Sequence, residues 1–227
     1  MSYILHIDAA LEDASVVLLK NSELIHQVNS KEQKNHASFI FSAIQEVLEI
    51  GNITIKKIDA ISVSNGPGSY TGLRVGLSTA KGLCYSLNKP LILLNTLELM
   101  TLNCISSTHQ QEMDVLFCPM IDARRMEVYC SIYNNNLQVK LPQQTLILDE
   151  NSFEEFLLKH KIIFFGMGSE KFKHICSSKN AFFILSTNSN NGIANYIFKA
   201  YKNQKFSHVA YAEPEYLKEV YIAKKNK

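Results

Sequence analysis

Five of the nine glycines fall between positions 66 and 82, within and just after the run Asn65-Gly66-Pro67-Gly68-Ser69-Tyr70-Thr71-Gly72-Leu73-Arg74-Val75-Gly76. A glycine-rich turn that leaves a strand and opens a helix can cradle a phosphate, because the first amides of a helix are free donors. This run matches neither common template. A Walker A loop needs G-x-x-x-x-G-K-[ST], but position 71 is Thr and no Lys-Ser/Thr follows; the dinucleotide fingerprint G-x-G-x-x-G lacks its third glycine at the same place. The spacing points elsewhere. Gly72, Gly76 and Ala80 recur every four residues, so in a helix they share one smooth face. An interior glycine costs a helix about 1 kcal/mol relative to alanine, and close approach of another backbone offsets such a loss. That backbone belongs either to the chain's own sheet or to a helix of another subunit; the spacing leaves both open.

Other chemistry is sparsely signalled. Asp8 and Asp122 end predicted strands, where a carboxylate can help hold a metal nucleotide, though capping a turn is the commoner task for Asp there. The seven histidines stand at 6, 26, 36, 109, 160, 174 and 208, no two within five residues. The i, i+4 pair of a helical metal site is therefore missing, and His36 is followed at position 40 by Ile. His36 reads as a helix-start or interface residue. There is no G-x-S-x-G, and Gly68-Ser69-Tyr70-Thr71-Gly72 is not that elbow. The cysteines, Cys84, Cys104, Cys118, Cys130 and Cys176, are odd in number and lack C-x-x-C, which suits reduced, mostly buried thiols. Gly166-Met167-Gly168-Ser169 reads as a strand-to-helix turn. Asp122, Arg124 and Arg125 form a corner that meets a partner or RNA, or else a solvated hairpin. The residues call for no catalytic centre, no cofactor and no metal.

The elements that must position these residues come in two similar series. Runs at 3–8, 14–20 and 23–29 are rich in Ile, Val and Leu and read as strands. A helix over 36–50 follows, with Asn35 as N-cap, Gly51 as stop and a stripe at Ile40, Ile44, Val47 and Leu48. Phe39 and Phe41 flank that stripe and give the helix a second apolar face, fit for a partner. Then come a strand at 58–64, a helix at 70–87, a strand at 91–95 and a helix at 96–107. The order restarts with strands at 114–121, 127–133 and 145–148, a helix at 152–160, a strand at 162–165, a helix at 170–177, a strand at 182–185 and a helix at 193–202. Ile7-Asp8-Ala9 ends the first strand of one series and Ile121-Asp122-Ala123 that of the other. The repeat implies a duplicated α/β chain with a mixed sheet and flanking helices in each lobe. The expected division is 1–108, 109–204 and a tail, 205–227, that packs back on the first lobe.

The run Gly66–Gly76, continued by Thr79-Ala80-Lys81-Gly82-Leu83, resembles a signature of the TsaB (YeaZ) family, and Ile121-Asp122-Ala123-Arg124-Arg125-Met126-Glu127-Val128-Tyr129 resembles its second. Ile7-Asp8-Ala9-Ala10, the His36 helix and Pro214-Glu215-Tyr216-Leu217-Lys218 stand in the expected order. The resemblance implies a duplicated actin-like/Hsp70-like (ASKHA) fold. It implies a non-catalytic scaffold role in making N6-threonylcarbamoyladenosine on tRNAs that read ANN codons. The implied partners are the catalytic paralogue TsaD and, with it, the ATPase TsaE, with tRNA met only through the complex and a homodimer as the alternative in isolation. The implied pairing surface is the first two helices, which places His36, Phe39, Ile40, Tyr70, Gly72, Leu73, Arg74, Gly76 and Ala80 at a partner. Asp8, Asp122, Arg124 and Arg125 remain candidates for a nucleotide or partner contact. Ala9 and Ala10 depart from the Ile-Asp-Thr-Ser common in the family and remove the hydroxyls that would touch a phosphate. The rival class is a stand-alone actin-like small-molecule kinase or ATPase.

Bulk properties agree with a protein partner. The net charge is +2, and Arg74, Arg124 and Arg125 are the only arginines, a poor endowment for binding nucleic acid alone. Asp8, Glu12 and Asp13 interrupt the N-terminal apolar stretch where a signal peptide would be uncharged. No apolar run reaches the ~20 residues of a membrane span. A cytoplasmic, membrane-free protein is expected.

Overall fold

The computed structural model describes residues 1–30, 36–108, 114–184 and 191–218. The first series of elements is β1 (Tyr3–Asp8), β2 (Ser15–Lys20), β3 (Glu23–Asn29), α1 (His36–Ile50), a 3-10 turn (Ile55–Lys57), β4 (Ile58–Gly66), α2 (Tyr70–Leu87), β5 (Leu91–Asn95) and α3 (Thr96–Thr108). The second is β6 (Val115–Asp122), β7 (Glu127–Tyr133), β8 (Val139–Ile147), α4 (Glu154–Leu157), β9 (Lys161–Phe165), α5 (Ser169–Lys173), β10 (Ala181–Ile184) and α6 (Asn191–Lys202). The position expected to N-cap α1, Asn35, lies outside the described residues.

The sheets run β3-β2-β1-β4-β5 and β8-β7-β6-β9-β10, the same order twice. In each, the first three strands form an antiparallel meander. The last two join in parallel beside the first strand of the set. This is the duplicated actin-like α/β fold.

Alternation along the strands sorts the core into layers. Leu5, Ile7, Val16, Leu18, Ile61 and Val63 meet α1 and α2. Ile4, Val17, Leu19, Ala60, Ile92 and Leu94, on the other face, meet Leu99 of α3 and Ile193 and Ile197 of α6. Helix α3 also covers the second sheet, through Cys104 beside Phe117 and Phe165 and through Leu97 beside Ile121 and Tyr133. The far face of the second sheet is closed by Phe153, Leu157 and Phe172. The stack is α1/α2, sheet, α3/α6, sheet, α4/α5.

Two expectations change. Helix α6 falls in the expected second lobe by sequence, yet its apolar side packs on the first sheet, where Ile4, Leu19 and Leu94 leave an uncovered surface. Strand β8 is longer than the expected 145–148. It is an edge strand paired to β7 alone, and Lys140, Pro142, Gln143 and Gln144 carry no strand-like alternation. At the start of the tail, Ser207 bridges Leu91, and Lys81 Nζ donates to the carbonyls of Ala210 (3.2 Å) and Ala212 (2.9 Å).

Candidate functional site

Helix α2 is pressed onto the turn after β1. Ser69 N donates to Ala10 O at 2.7 Å, and Ser69 Oγ caps the helix by accepting from Gly72 N at 3.3 Å. A Cβ at Gly72 would overlap the carbonyl of Ala9, and one at Gly66, whose φ is +124°, would overlap the carbonyl of Glu215. At Gly76 a Cβ would find ordinary contacts, 3.5 Å from Val63 Cγ2 and 3.6 Å from Ala9 Cβ. Leu73 and Ala80 are buried with them. The close backbone approach that the spacing required is therefore supplied by the Ala9–Ala10 turn after β1, and at Gly76 the neighbours are side chains at ordinary distance. This corrects the expectation that Gly72, Leu73, Gly76 and Ala80 face a partner: they are sealed in their own lobe. Ile40 is corrected likewise, being fully buried, and Phe39 is half-buried against the same core. The side chain of His36 lies outside the described residues.

The opposite face of α2 is open. Tyr70, Thr71, Arg74, Ser78, Gly82 and Tyr85 form an exposed stripe, Tyr85 at 86% exposure, with open space at Gly82. On neighbouring α1, Phe41 is 66% exposed. Phe41 and Tyr85 are large apolar residues that the core does not use, and helical periodicity was a signal able to find both.

The two aspartates behave alike. Asp8 Oδ1 accepts from Ala10 N at 2.9 Å, and Asp122 Oδ1 accepts from Arg124 N at 2.6 Å, the same i, i+2 turn at equivalent strand ends. Asp122 also pairs with Lys171 Nζ at 2.7 Å. Ala9 and Ala10 offer no hydroxyl beside Asp8, and each carboxylate uses its Oδ1 in its own turn. Arg124 and Arg125 are exposed and have φ of +71° and +50°. Gly166–Ser169 is the plain turn expected: Gly168 N donates to Met120 O at 3.0 Å and Ser169 Oγ to Gly166 O at 2.7 Å. Burial pushes the Cys84 thiol up to about 11 and the Cys104 thiol up to about 12, away from the thiolate form. Among the described residues, no group of three His, Cys, Asp or Glu side chains could hold a metal ion, and no helix is long and apolar enough to cross a membrane.

Deeper in the first lobe, His6 is wholly buried, with Nδ1 3.0 Å from Ser62 Oγ. Burial lowers its pKa, partly opposed by the Asp8 charge. Its Nε2, like Ser64 Oγ and Thr96 Oγ1, has no hydrogen-bond partner among the described residues.

The tail reaches the site in a way the sequence did not disclose. Arg74 Nε donates to the Tyr216 hydroxyl at 2.8 Å, and the guanidinium carbon stands 4.0 Å from the centroid of the Tyr70 ring. The two tyrosine rings lie 5.2 Å apart. The Tyr216 hydroxyl raises the Arg74 pKa further, so the cation is permanent.

Comparison with known proteins bears on the family and the fold. Residues 23–223 match the family model "TsaD: tRNA N6-adenosine threonylcarbamoyltransferase". The chain is 32% identical over 148 residues to the "tRNA threonylcarbamoyladenosine biosynthesis protein TsaB" of Bacillus subtilis (strain 168), covering 64% of this chain and 62% of that relative. It thus spans less than two thirds of the length of that protein. Among solved structures, "YeaZ from Pseudomonas aeruginosa" superposes with a TM-score of 0.76 at 20% identity, covering 96% of this chain and all (100%) of that one. Component A of the Acidaminococcus fermentans (R)-2-hydroxyglutaryl-CoA dehydratase shares the fold, with a TM-score of 0.51 at 10% identity over 90% of this chain and 100% of that one. The chain belongs to the family of that TsaD model, and within it stands with the TsaB (YeaZ) proteins.

Proposed function

We propose that this chain is a non-catalytic cytoplasmic subunit of the machinery that makes N6-threonylcarbamoyladenosine on tRNAs reading ANN codons. Its role is to dock on TsaD and, with it, to engage the ATPase TsaE; tRNA is met through the assembly. The docking surface is the outward stripe of α2, with Tyr70, Arg74, Ser78, Gly82 and Tyr85, together with Phe41 of α1. The observation that carries the reading is this pair of exposed aromatics, Phe41 and Tyr85, on helices whose other sides are fully used by the core. Aromatic and arginine side chains dominate interface energies, and a bare glycine such as Gly82 lets a partner helix come close. In the absence of TsaD, a second copy of the chain takes the same face.

Phe41→Asp, together with Gly82→Arg, tests this by co-purification with TsaD from the same cell. The expected result is loss of the pair, with a fall in threonylcarbamoyladenosine among tRNA nucleosides when the variant replaces the wild type. An intact pair would remove the docking face from α1 and α2. ATP turnover by the purified chain that Asp8→Ala abolishes would instead favour the kinase class.

A further inference from the structure

Within the short segment Pro214–Lys218 the chain crosses from the first lobe to the second. Glu215 is held to the first lobe by its amide, which donates to Asn65 O at 2.7 Å. Its carboxylate accepts from Asn95 Nδ2 at the end of β5 (3.5 Å) and from Gln143 Nε2 on β8. Asn95 Nδ2 also donates to Gln143 Oε1 at 2.6 Å, so the two lobes are joined both directly and through Glu215. Next, Leu217 O accepts from Thr145 Oγ1 of β8 at 3.4 Å, and Lys218 pairs with Glu127 of β7. Between these anchors, Tyr216 lies over Tyr70 and Arg74, at the N-terminal end of the exposed stripe of α2.

We infer that Pro214–Lys218 is an interlobe strap and that a partner docked on α1 and α2 senses, through Tyr216, the lobe arrangement this strap holds. The second half rests on the docking reading above; the first half does not. Asn95, Gln143 and Glu215 can satisfy one another only when β5 and β8 stand at one separation, so the network fixes, on its side of the junction, the arrangement of two lobes that α3 already joins. Tyr216 then carries that geometry to the surface. Stacked on Tyr70 and bonded to Arg74, it is ordered before any partner arrives, which lowers the entropy lost on binding. Glu215 points into the lobe junction and Tyr216 onto α2, so loosening one residue displaces the other.

Hydrogen exchange on the purified full chain, with affinity for purified TsaD measured alongside, tests both halves. In Glu215→Ala, exchange is expected to accelerate around Gln143 on β8 and at residue 215, and the Kd for TsaD to rise roughly tenfold although no residue of α1 or α2 has changed. Unchanged exchange would overturn the strap. Faster exchange with an unchanged Kd would overturn its link to the partner. Phe41→Asp is the control: if it leaves the Kd unaltered, the docking face itself has failed, and the strap is then judged on exchange alone. Should Glu215→Ala misfold, Gln143→Ala carries the same measurements, because it removes the partner of Glu215 on β8 and leaves the tail unchanged.

Discussion

At the scale of single residues, His6 is where burial and ionisation conflict most directly. It sits in the middle of β1, facing Ser62 and near Asp8, and burial holds its pKa below 6.5 despite that carboxylate. Between the lowered value and about 6.5 the unfolded chain carries a proton that the folded chain does not. Stability therefore rises with pH through that window and is flat above it, at no more than about 1.4 kcal/mol per pH unit from this one group. Urea unfolding between about pH 5 and 8 should show the slope in the wild type and lose this share of it in His6→Asn. An identical slope in both would place the titration elsewhere. The sequence singled out Asp8, two residues away, as the polar feature of this strand. His6 carried no signal because an isolated histidine in an apolar run looks the same whether buried or edge-exposed, and only the packing of α3 and α6 on that face decides it.

At the scale of the element, α2 separates two glycines of one helix by what stands opposite each. Gly72 faces the carbonyl of Ala9 at a distance that admits no Cβ, whereas Gly82 faces open space. Gly82→Ala should stabilise the isolated chain by up to ~1 kcal/mol, the difference in helix propensity. Gly72→Ala should lose that gain and a further ~1–3 kcal/mol to overpacking. Chemical denaturation of the two variants reads the contrast directly, and equal effects would mean that the helix does not lie as close to β1 as the geometry requires. The approximate span of α2 was legible, since a glycine-rich turn opens it and small residues recur at helical spacing along it. Which way its small-residue face turned was not legible, because a sheet and a foreign helix ask the same thing of Gly72, Gly76 and Ala80. β8 shows the complementary failure. As an edge strand it has no second neighbour to impose alternation, and Pro142 reads as an interruption where an edge tolerates it.

At the scale of the whole molecule, the duplication in the sequence is real in the sheets, whose strand orders are identical, but the helices do not partition with the chain. Element order could reveal the repeat because each half restates the same local patterns; it could not reveal where α6 settles, since an amphipathic helix specifies that it needs an apolar surface and not which one. The surface it found is Ile4, Val17, Leu19 and Leu94 of the first sheet, beside α3, with Tyr196 Oη donating to Glu98 Oε2 at 2.6 Å. The last helix of the second series thus completes the first lobe. Ile197, fully buried at the centre of this contact, provides the test. Ile197→Ala should cost about 2–5 kcal/mol, and native-state hydrogen exchange should accelerate in β1, β2 and β5 before β6 and β9. Loosening confined to β6 and β9 would return α6 to the lobe that its place in the chain suggests. If the first sheet loosens, the first lobe depends on a helix made after the second lobe's strands, and neither lobe is a unit that can be cut out and expected to fold alone.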